Sequence, residues 1–372
     1  MDKIRIHCVI GTRPEAIKMA PVISALKNEP WADVRVLATA QHREMLDQIL
    51  GPFDITPDID LNVMQGNQTL PELTARLMLL LNQTFTQETP HAVLAQGDTT
   101  TVMVTALAAF YHRIPFGHIE AGLRTGDMAC PFPEEMNRVI AGRLARWHFA
   151  PTESAKTNLL REGVAQESIV VTGNTVIDAL LDATTRCQDY EPVVTPGKRL
   201  ILVTAHRREN FGAPFREICR AIKHLADTRS DVEFLYPVHP NPNVRGVVSD
   251  ILGNHPRIRL CDPLDYFPFV AAMKASYFIL SDSGGVQEEA PALGKPVLLL
   301  RRETERPEAV EMGVVRLVGP DYAKILDEAQ QLLDHPHTYQ SMAQGTSPYG
   351  DGRSAERIVS VLQTHFGSSL PQ

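Results

Sequence analysis

Short apolar runs rich in β-branched residues alternate with longer segments of helical apolar spacing along nearly the whole chain, and each run ends in a polar turn. This alternation restricts the fold to α/β architecture, with parallel sheets covered on both faces by helices. Ile4–Ile10, Val34–Ala38, Ala92–Ala95, Phe116–Ile119 and His148–Ala150 read as strands of a first sheet. Leu200–Val203, Glu233–Tyr236, Ile258–Leu260, Tyr277–Leu280 and Val297–Leu300 read as strands of a second. Gly11 breaks the first strand, and Pro14 stands in the first turn of a helix running to Leu26, where proline is tolerated. A chain of 372 residues outgrows a single core, so two domains are expected. The stretch Asp189–Lys198, with Pro192, Pro196 and Gly197, reads as an interdomain connection, and Ser354–Phe366 reads as a final helix.

A formal net charge of −8, with no long block of Lys or Arg, argues against nucleic acid as the main ligand. A small anion remains possible, since it needs only a few focused cations. The five cysteines (Cys8, Cys130, Cys187, Cys219, Cys261) are scattered, odd in number and without a Cys-x-x-Cys pair. That pattern fits neither a disulfide framework nor a zinc ribbon, and they read as buried thiols of a reducing compartment. No stretch reaches the roughly eighteen apolar residues that span a membrane. The expectation is a cytoplasmic protein with no membrane partner, no nucleic-acid partner and no metal.

In open parallel sheets ligands sit outside the carboxyl ends of the strands, so the turns carry the functional reading. The first holds Gly11-Thr-Arg-Pro-Glu-Ala-Ile-Lys18, in which Arg13 and Lys18 lie at the start of a helix with free amides, a combination that suits phosphate. The same residues also fit a tight turn with surface charges. After Tyr277–Leu280 comes Ser281-Asp-Ser-Gly-Gly-Val-Gln-Glu-Glu289, whose paired glycines let the backbone approach a pyrophosphate. Glu289 can accept from a ribose diol, and Arg306 in Glu305-Arg-Pro-Glu308 supplies a further cation. A glycine turn with a helix-capping Ser283 is the purely structural alternative. Neither site has G-x-G-x-x-G spacing, which disfavours a tightly held NAD, and no cofactor is expected.

Other turns carry acids and imidazole: Gln96-Gly-Asp98, His118-Ile-Glu120, Pro131-Phe-Pro-Glu134-Glu135 and Ala205-His206-Arg-Arg-Glu-Asn210. Taken singly, Asp98 fits a helix N-cap, Glu134 a first-turn acid and His206 a core imidazole satisfied by a carbonyl. Taken together, they are what proton transfer at a sugar ring requires, with acids and bases on more than one face.

These segments, with Gln41-His-Arg-Glu-Met-Leu-Asp47, Gly97-Asp-Thr-Thr-Thr101 and His118-Ile-Glu-Ala-Gly-Leu-Arg-Thr-Gly126, closely resemble the non-hydrolysing UDP-N-acetylglucosamine 2-epimerase family nearly end to end. The resemblance implies a GT-B-like fold of two Rossmann-like domains with a UDP cleft between them. The first would be 1–175 plus 354–372, the C-terminal helix returning to it, and the second 176–353. It also implies a homodimer acting on UDP-N-acetylglucosamine, with UDP held and released. Asp98, Glu120, Glu134 and His206 match the family's catalytic group. Arg13, Lys18, Phe269, Ser283, Gly284, Gly285, Glu289 and Arg306 match its nucleotide-holding positions. Gln41, His42, Gln68, Arg207 and His239 are candidates for a second, activating substrate site. The C2 hydrogen has no adjacent carbonyl to acidify it, so the expected route is elimination of UDP to 2-acetamidoglucal and its re-addition with the proton on the other face. The rivals are a GT-B glycosyltransferase, a hydrolysing 2-epimerase, a sister enzyme acting on a 2,3-diacetamido uronic acid and a catalytically silent UDP-sugar sensor.

Overall fold

The computed structural model describes residues 3–39, 49–190, 192–304 and 306–367. The chain divides into two compact units, Met1–Ala179 with Tyr349–Gln372, and Leu180–Pro348.

The first unit runs β1 (Ile4–Ile10), α1 (Arg13–Lys27), β2 (Ala32–Ala38), β3 (Ile59–Asp60), α2 (Leu70–Gln87), β4 (Ala92–Gln96), α3 (Thr100–Tyr111), β5 (Phe116–Ile119), α4 (Glu134–Leu144), β6 (Trp147–Ala150), α5 (Glu153–Arg161) and β7 (Ile169–Val171). Its seven strands lie in the order β3-β2-β1-β4-β5-β6-β7, every pair parallel. Strands covered on both faces need apolar side chains on both, and β4 is buried at every residue. Against it packs α2, whose Leu73, Leu77, Leu81 and Phe85 recur every four residues along one face and meet Val9, Val93 and Phe116 in the core. Thr69 and Glu72 start that helix with a capping box.

After α6 (Thr175–Arg186), inside which the division falls, the second unit runs β8 (Arg199–Thr204), α7 (Ala213–Thr228), β9 (Val232–Pro237), α8 (Pro242–Leu252), β10 (Ile258–Cys261), α9 (Tyr266–Ala275), β11 (Phe278–Ser281), α10 (Gly284–Ala292), β12 (Val297–Leu299), α11 (Pro307–Glu311), β13 (Val315–Leu317), α12 (Tyr322–Asp334) and α13 (Pro336–Met342). Its strand order is β10-β9-β8-β11-β12-β13, again all parallel. Phe215, Ile218, Ile222 and Leu225 of α7 fill the core beside Phe234 and Phe278. The last helix, α14 (Ser354–Gly367), belongs to the first unit and packs on α1, with Phe366 edge-on to Trp147.

Two expectations need correction. The stretch 189–198 lies within the second unit rather than joining the two, because α6 carries the chain across. The cysteines are free, but not all buried: Cys8, Cys187 and Cys219 are, Cys261 is half-buried, and Cys130 is exposed on the loop before α4. Among the described residues, no helix is long and apolar enough to cross a membrane.

Candidate active site

Strand order reverses between β1 and β4, which opens a crevice at the carboxyl ends of the first sheet. Asp98 stands there, in a loop fixed from every side. The Gly97 N–H donates to the Ile119 carbonyl at 3.0 Å. The Gly97 carbonyl accepts from His118 Nε2 at 2.7 Å, which places the proton on that nitrogen; burial lowers the His118 pKa to about 4 and keeps the ring neutral. Asn137 donates to the Asp98 carbonyl at 2.9 Å, and Arg138 donates to its carboxylate at 2.7 Å. Burial raises the Asp98 pKa, Arg138 and Lys18 oppose the rise, and Glu134 adds to it. The N-cap of α3 is Thr99, whose hydroxyl accepts from Val102, so Asp98 is not spent on capping.

Glu120 ends β5 with φ at 64°, a left-handed conformation that costs a side-chain-bearing residue about 1 kcal/mol or more. The surroundings hold it there. Lys18 Nζ lies 2.7 Å from both carboxylate oxygens, Asn174 donates at 3.2 Å, and the Gln96 amide donates to the same group. Lys18 thus meets Glu120 directly and lies within electrostatic reach of Asp98. Glu134 is the first residue of α4, half-buried and close enough to influence Asp98. Its neighbour Glu135 is buried and accepts from the Thr125 and Gly126 amides at 3.1 Å, anchoring the loop that precedes α4. Arg13 opens α1, half-buried. Two residues on, buried Glu15 accepts from the Gly11 and Thr12 amides at 2.6 and 2.8 Å and from the Thr99 hydroxyl at 2.5 Å. That carboxylate joins the loops after β1 and β4.

In the second unit the order reverses between β8 and β11. Ser283 is the N-cap of α10, but its hydroxyl makes no capping bond, so the alternative of a purely capping serine is set aside; its N–H donates to Ser281 Oγ at 2.9 Å. Gly284 and Gly285 form the first turn, leaving amides directed at the crevice. The guanidinium of Arg306 packs on Gly284, where an added Cβ would lie 2.9 Å from Nη1, and Glu288 holds it through Nε at 2.5 Å. Farther along α10, Glu289 is buried and accepts from the Tyr266 hydroxyl at 2.9 Å. Phe269, half-buried, sits in the first turn of α9.

His206 follows β8. Its side chain is 41% exposed, which rules out the core-imidazole alternative; His118 is the imidazole satisfied by a carbonyl. It stacks on His239 at 5.1 Å with an 11° tilt. Burial lowers the His206 pKa, Asp282 opposes that, and His239 and Arg207 reinforce it. Arg207 is half-buried and His239 exposed, while Gln68 lies in the first unit and accepts from the Gln65 amide at 3.0 Å. Gln41 and His42 lie outside the described residues.

The two crevices therefore contain groups that reading the turns one at a time did not single out: Glu15, Gln96, Arg138 and Asn174 in the first unit, Tyr266 and Asp282 in the second. Glu15, Gln96 and Asp282 stand inside the quoted turns, but their partners lie on other turns along the chain. What the arrangement offers is cations and helix-end amides for an anion, with three carboxylates gathered in the first unit.

A family model described as UDP-N-acetylglucosamine 2-epimerase matches residues 24–363. The chain is 51% identical to the UDP-N-acetylglucosamine 2-epimerase of Escherichia coli (strain K12), covering 97% of this chain and 99% of that protein. Among solved structures it is similar to UDP-GlcNAc 2-epimerase from Neisseria meningitidis bound to UDP-GlcNAc, with 46% identity, a TM-score of 0.87, and coverage of 97% of this chain and 100% of the other. A glycosyltransferase of kitacinnamycin, 12% identical with a TM-score of 0.69 over 98% of this chain and 99% of the other, shares the fold alone, which is GT-B-like. With most of its length matched by the family model and half its residues shared with such relatives, the chain belongs to the non-hydrolysing, bacterial-type UDP-N-acetylglucosamine 2-epimerase family.

Proposed function

We propose that the protein interconverts UDP-N-acetylglucosamine and UDP-N-acetylmannosamine by eliminating UDP and adding it back. The observation that carries this reading is the group Asp98, Glu120 and Glu134 at the crevice of the first sheet, in which Lys18 pairs with Glu120 and, like Glu134, lies within electrostatic reach of Asp98. In the forward step one of these carboxylates takes the C2 proton, the C1–O bond breaks, UDP leaves with the electron pair, and C1=C2 forms to give 2-acetamidoglucal. In the return step a carboxylic acid delivers a proton to the opposite face of C2 as UDP re-forms the C1–O bond. Burial raises the Asp98 pKa, a shift in the direction that favours its acid form. Arg13, Arg306 and the amides of Gly284 and Gly285 meet the phosphates, Glu289 the ribose and Phe269 the base. His206 stabilises charge on the departing phosphate.

The reading is tested by incubating the protein with UDP-N-acetylglucosamine in heavy water without added cofactor. Deuterium appears at C2 of both epimers, and 2-acetamidoglucal and UDP accumulate on long incubation. A product that keeps its original C2 hydrogen refutes the elimination route. We also propose a homodimer in the cytoplasm, for which exposed Leu79, Phe110 and Tyr111 on the packed helices α2 and α3 offer an apolar surface, and sedimentation velocity reads its mass directly. Gln68, Arg207 and His239 are kept as candidate contacts for an activating second substrate molecule; Gln41 and His42, the other candidates, lie outside the described residues.

A further inference from the structure

The crevice of the second sheet contains a carboxylate that the proposed chemistry does not use. Asp282 follows β11 and its side chain has no solvent exposure. Oδ2 accepts from the His206 and Arg207 amides at 2.9 and 2.8 Å and from the Asn210 side chain at 3.3 Å, so it shapes the whole turn after β8. Oδ1 is buried and makes no hydrogen bond among the described residues. It lies 3.8 Å from Nδ1 of His206. A buried carboxylate oxygen lacking a donor is costly, and a ring movement of about 1 Å supplies one, since charge-assisted bonds of this type close to about 2.8 Å. Such bonds are commonly long before a ligand binds and tighten in the complex. The opposite edge of the ring stays accessible, because the side chain is 41% exposed.

We infer that Asp282 is the positioning residue for His206: it holds the proton on Nδ1 and supports the imidazolium, leaving Nε2 to face the departing phosphate. This rests on the role proposed above for His206. The ring acquires its second proton from solvent before elimination and donates a charged hydrogen bond from Nε2 without transferring it, so C2–H and C1–O remain the only bonds broken. The groups that set its charge are Asp282, which favours the cation, and stacked His239 and Arg207, which oppose it. The opposition of those two, together with burial, is why a fixed anion is needed to make the cation available.

The test is Asp282→Asn. Asparagine can keep its oxygen on the two backbone amides and turn its NH2 toward His206, replacing an acceptor by a donor and forcing the ring into the other tautomer. The expected result is a fall in kcat of about 10²-fold or more, as tautomer reversal produces elsewhere, with KM within about threefold and UDP affinity retained. Unchanged kcat in a folded Asp282→Asn protein overturns the inference. Should that variant fail to fold, ¹⁵N spectra of the histidine-labelled wild-type protein decide, with the His206 signal assigned through His206→Gln. A neutral ring protonated on Nδ1 supports the inference, and one protonated on Nε2 refutes it. If His206→Gln itself keeps full activity, the proposed role of His206 fails; if only Asp282→Asn is silent, that role stands and the positioning by Asp282 falls.

Discussion

Replacing Glu15 by Gln should make the first unit more stable in alkaline than in acidic solution, relative to the parent protein. The carboxyl is buried, and burial raises its pKa from 4.5 to about 7 despite hydrogen bonds from Thr99, Gly11 and Thr12 that pull it down. Because the folded value lies above the unfolded one, the folded state binds more protons across that window. The stability contribution is therefore complete below 4.5 and is lost as the pH rises through 7. At about 1.4 kcal/mol for each tenfold change, the full loss is about 3 kcal/mol, of which about 2.5 falls between pH of about 5 and about 8. The glutamine of Glu15→Gln would keep the contacts: its carbonyl can accept from both amides and its NH2 can donate to Thr99 Oγ1. The assay is denaturant-dependent thiol labelling of Cys8, a buried residue of β1, so that it reports unfolding of this unit alone. Parent and variant are compared at each pH, which cancels the titration of the thiol. A stability difference that stays flat across the range would falsify the account of Glu15.

Gly284→Ala should leave the fold as stable as before, since the position is helical and alanine suits it, yet its Cβ would meet Arg306 Nη1 at 2.9 Å and Cζ at 3.2 Å. Loss of a charge-assisted contact to phosphate, about 1.5–3 kcal/mol, weakens UDP binding by roughly 10- to 100-fold in calorimetry; an unchanged Kd would show that Arg306 does not touch the phosphates. Initial rates against substrate should depart from a hyperbola in the direction of activation, and a strictly hyperbolic curve would remove the second-site role of Gln68, Arg207 and His239.

The fold was legible because parallel strands covered on both faces leave near-continuous apolar runs in the sequence. The three strands that went unread, Ile59–Asp60, Ile169–Val171 and Val315–Leu317, are all at sheet edges and only two or three residues long. Edge strands are kept short, and so short a run has no period to detect. Local spacing also misjudged Asp98 as a candidate cap, since Thr99 beside it is equally suited, and only the backbone geometry decides between them. Cys130 was expected inside because cysteine usually is, but it lies on an exposed loop between Asp127 and Pro131. Partnerships such as Glu15 with Thr99, 84 residues apart, or Asp282 with the His206 amide, 76 apart, depend on which strands become neighbours and leave no trace in spacing.

Each sheet has one buried acid at the point where its strand order turns back, Glu15 in the first and Asp282 in the second, and each clasps the two loops that flank the crevice. The crevices are thereby braced from beneath by the protein's own buried carboxyl groups. Under the proposed function, a ligand entering either crevice need spend little of its binding free energy on organising those loops, leaving more to act on the bond that must break.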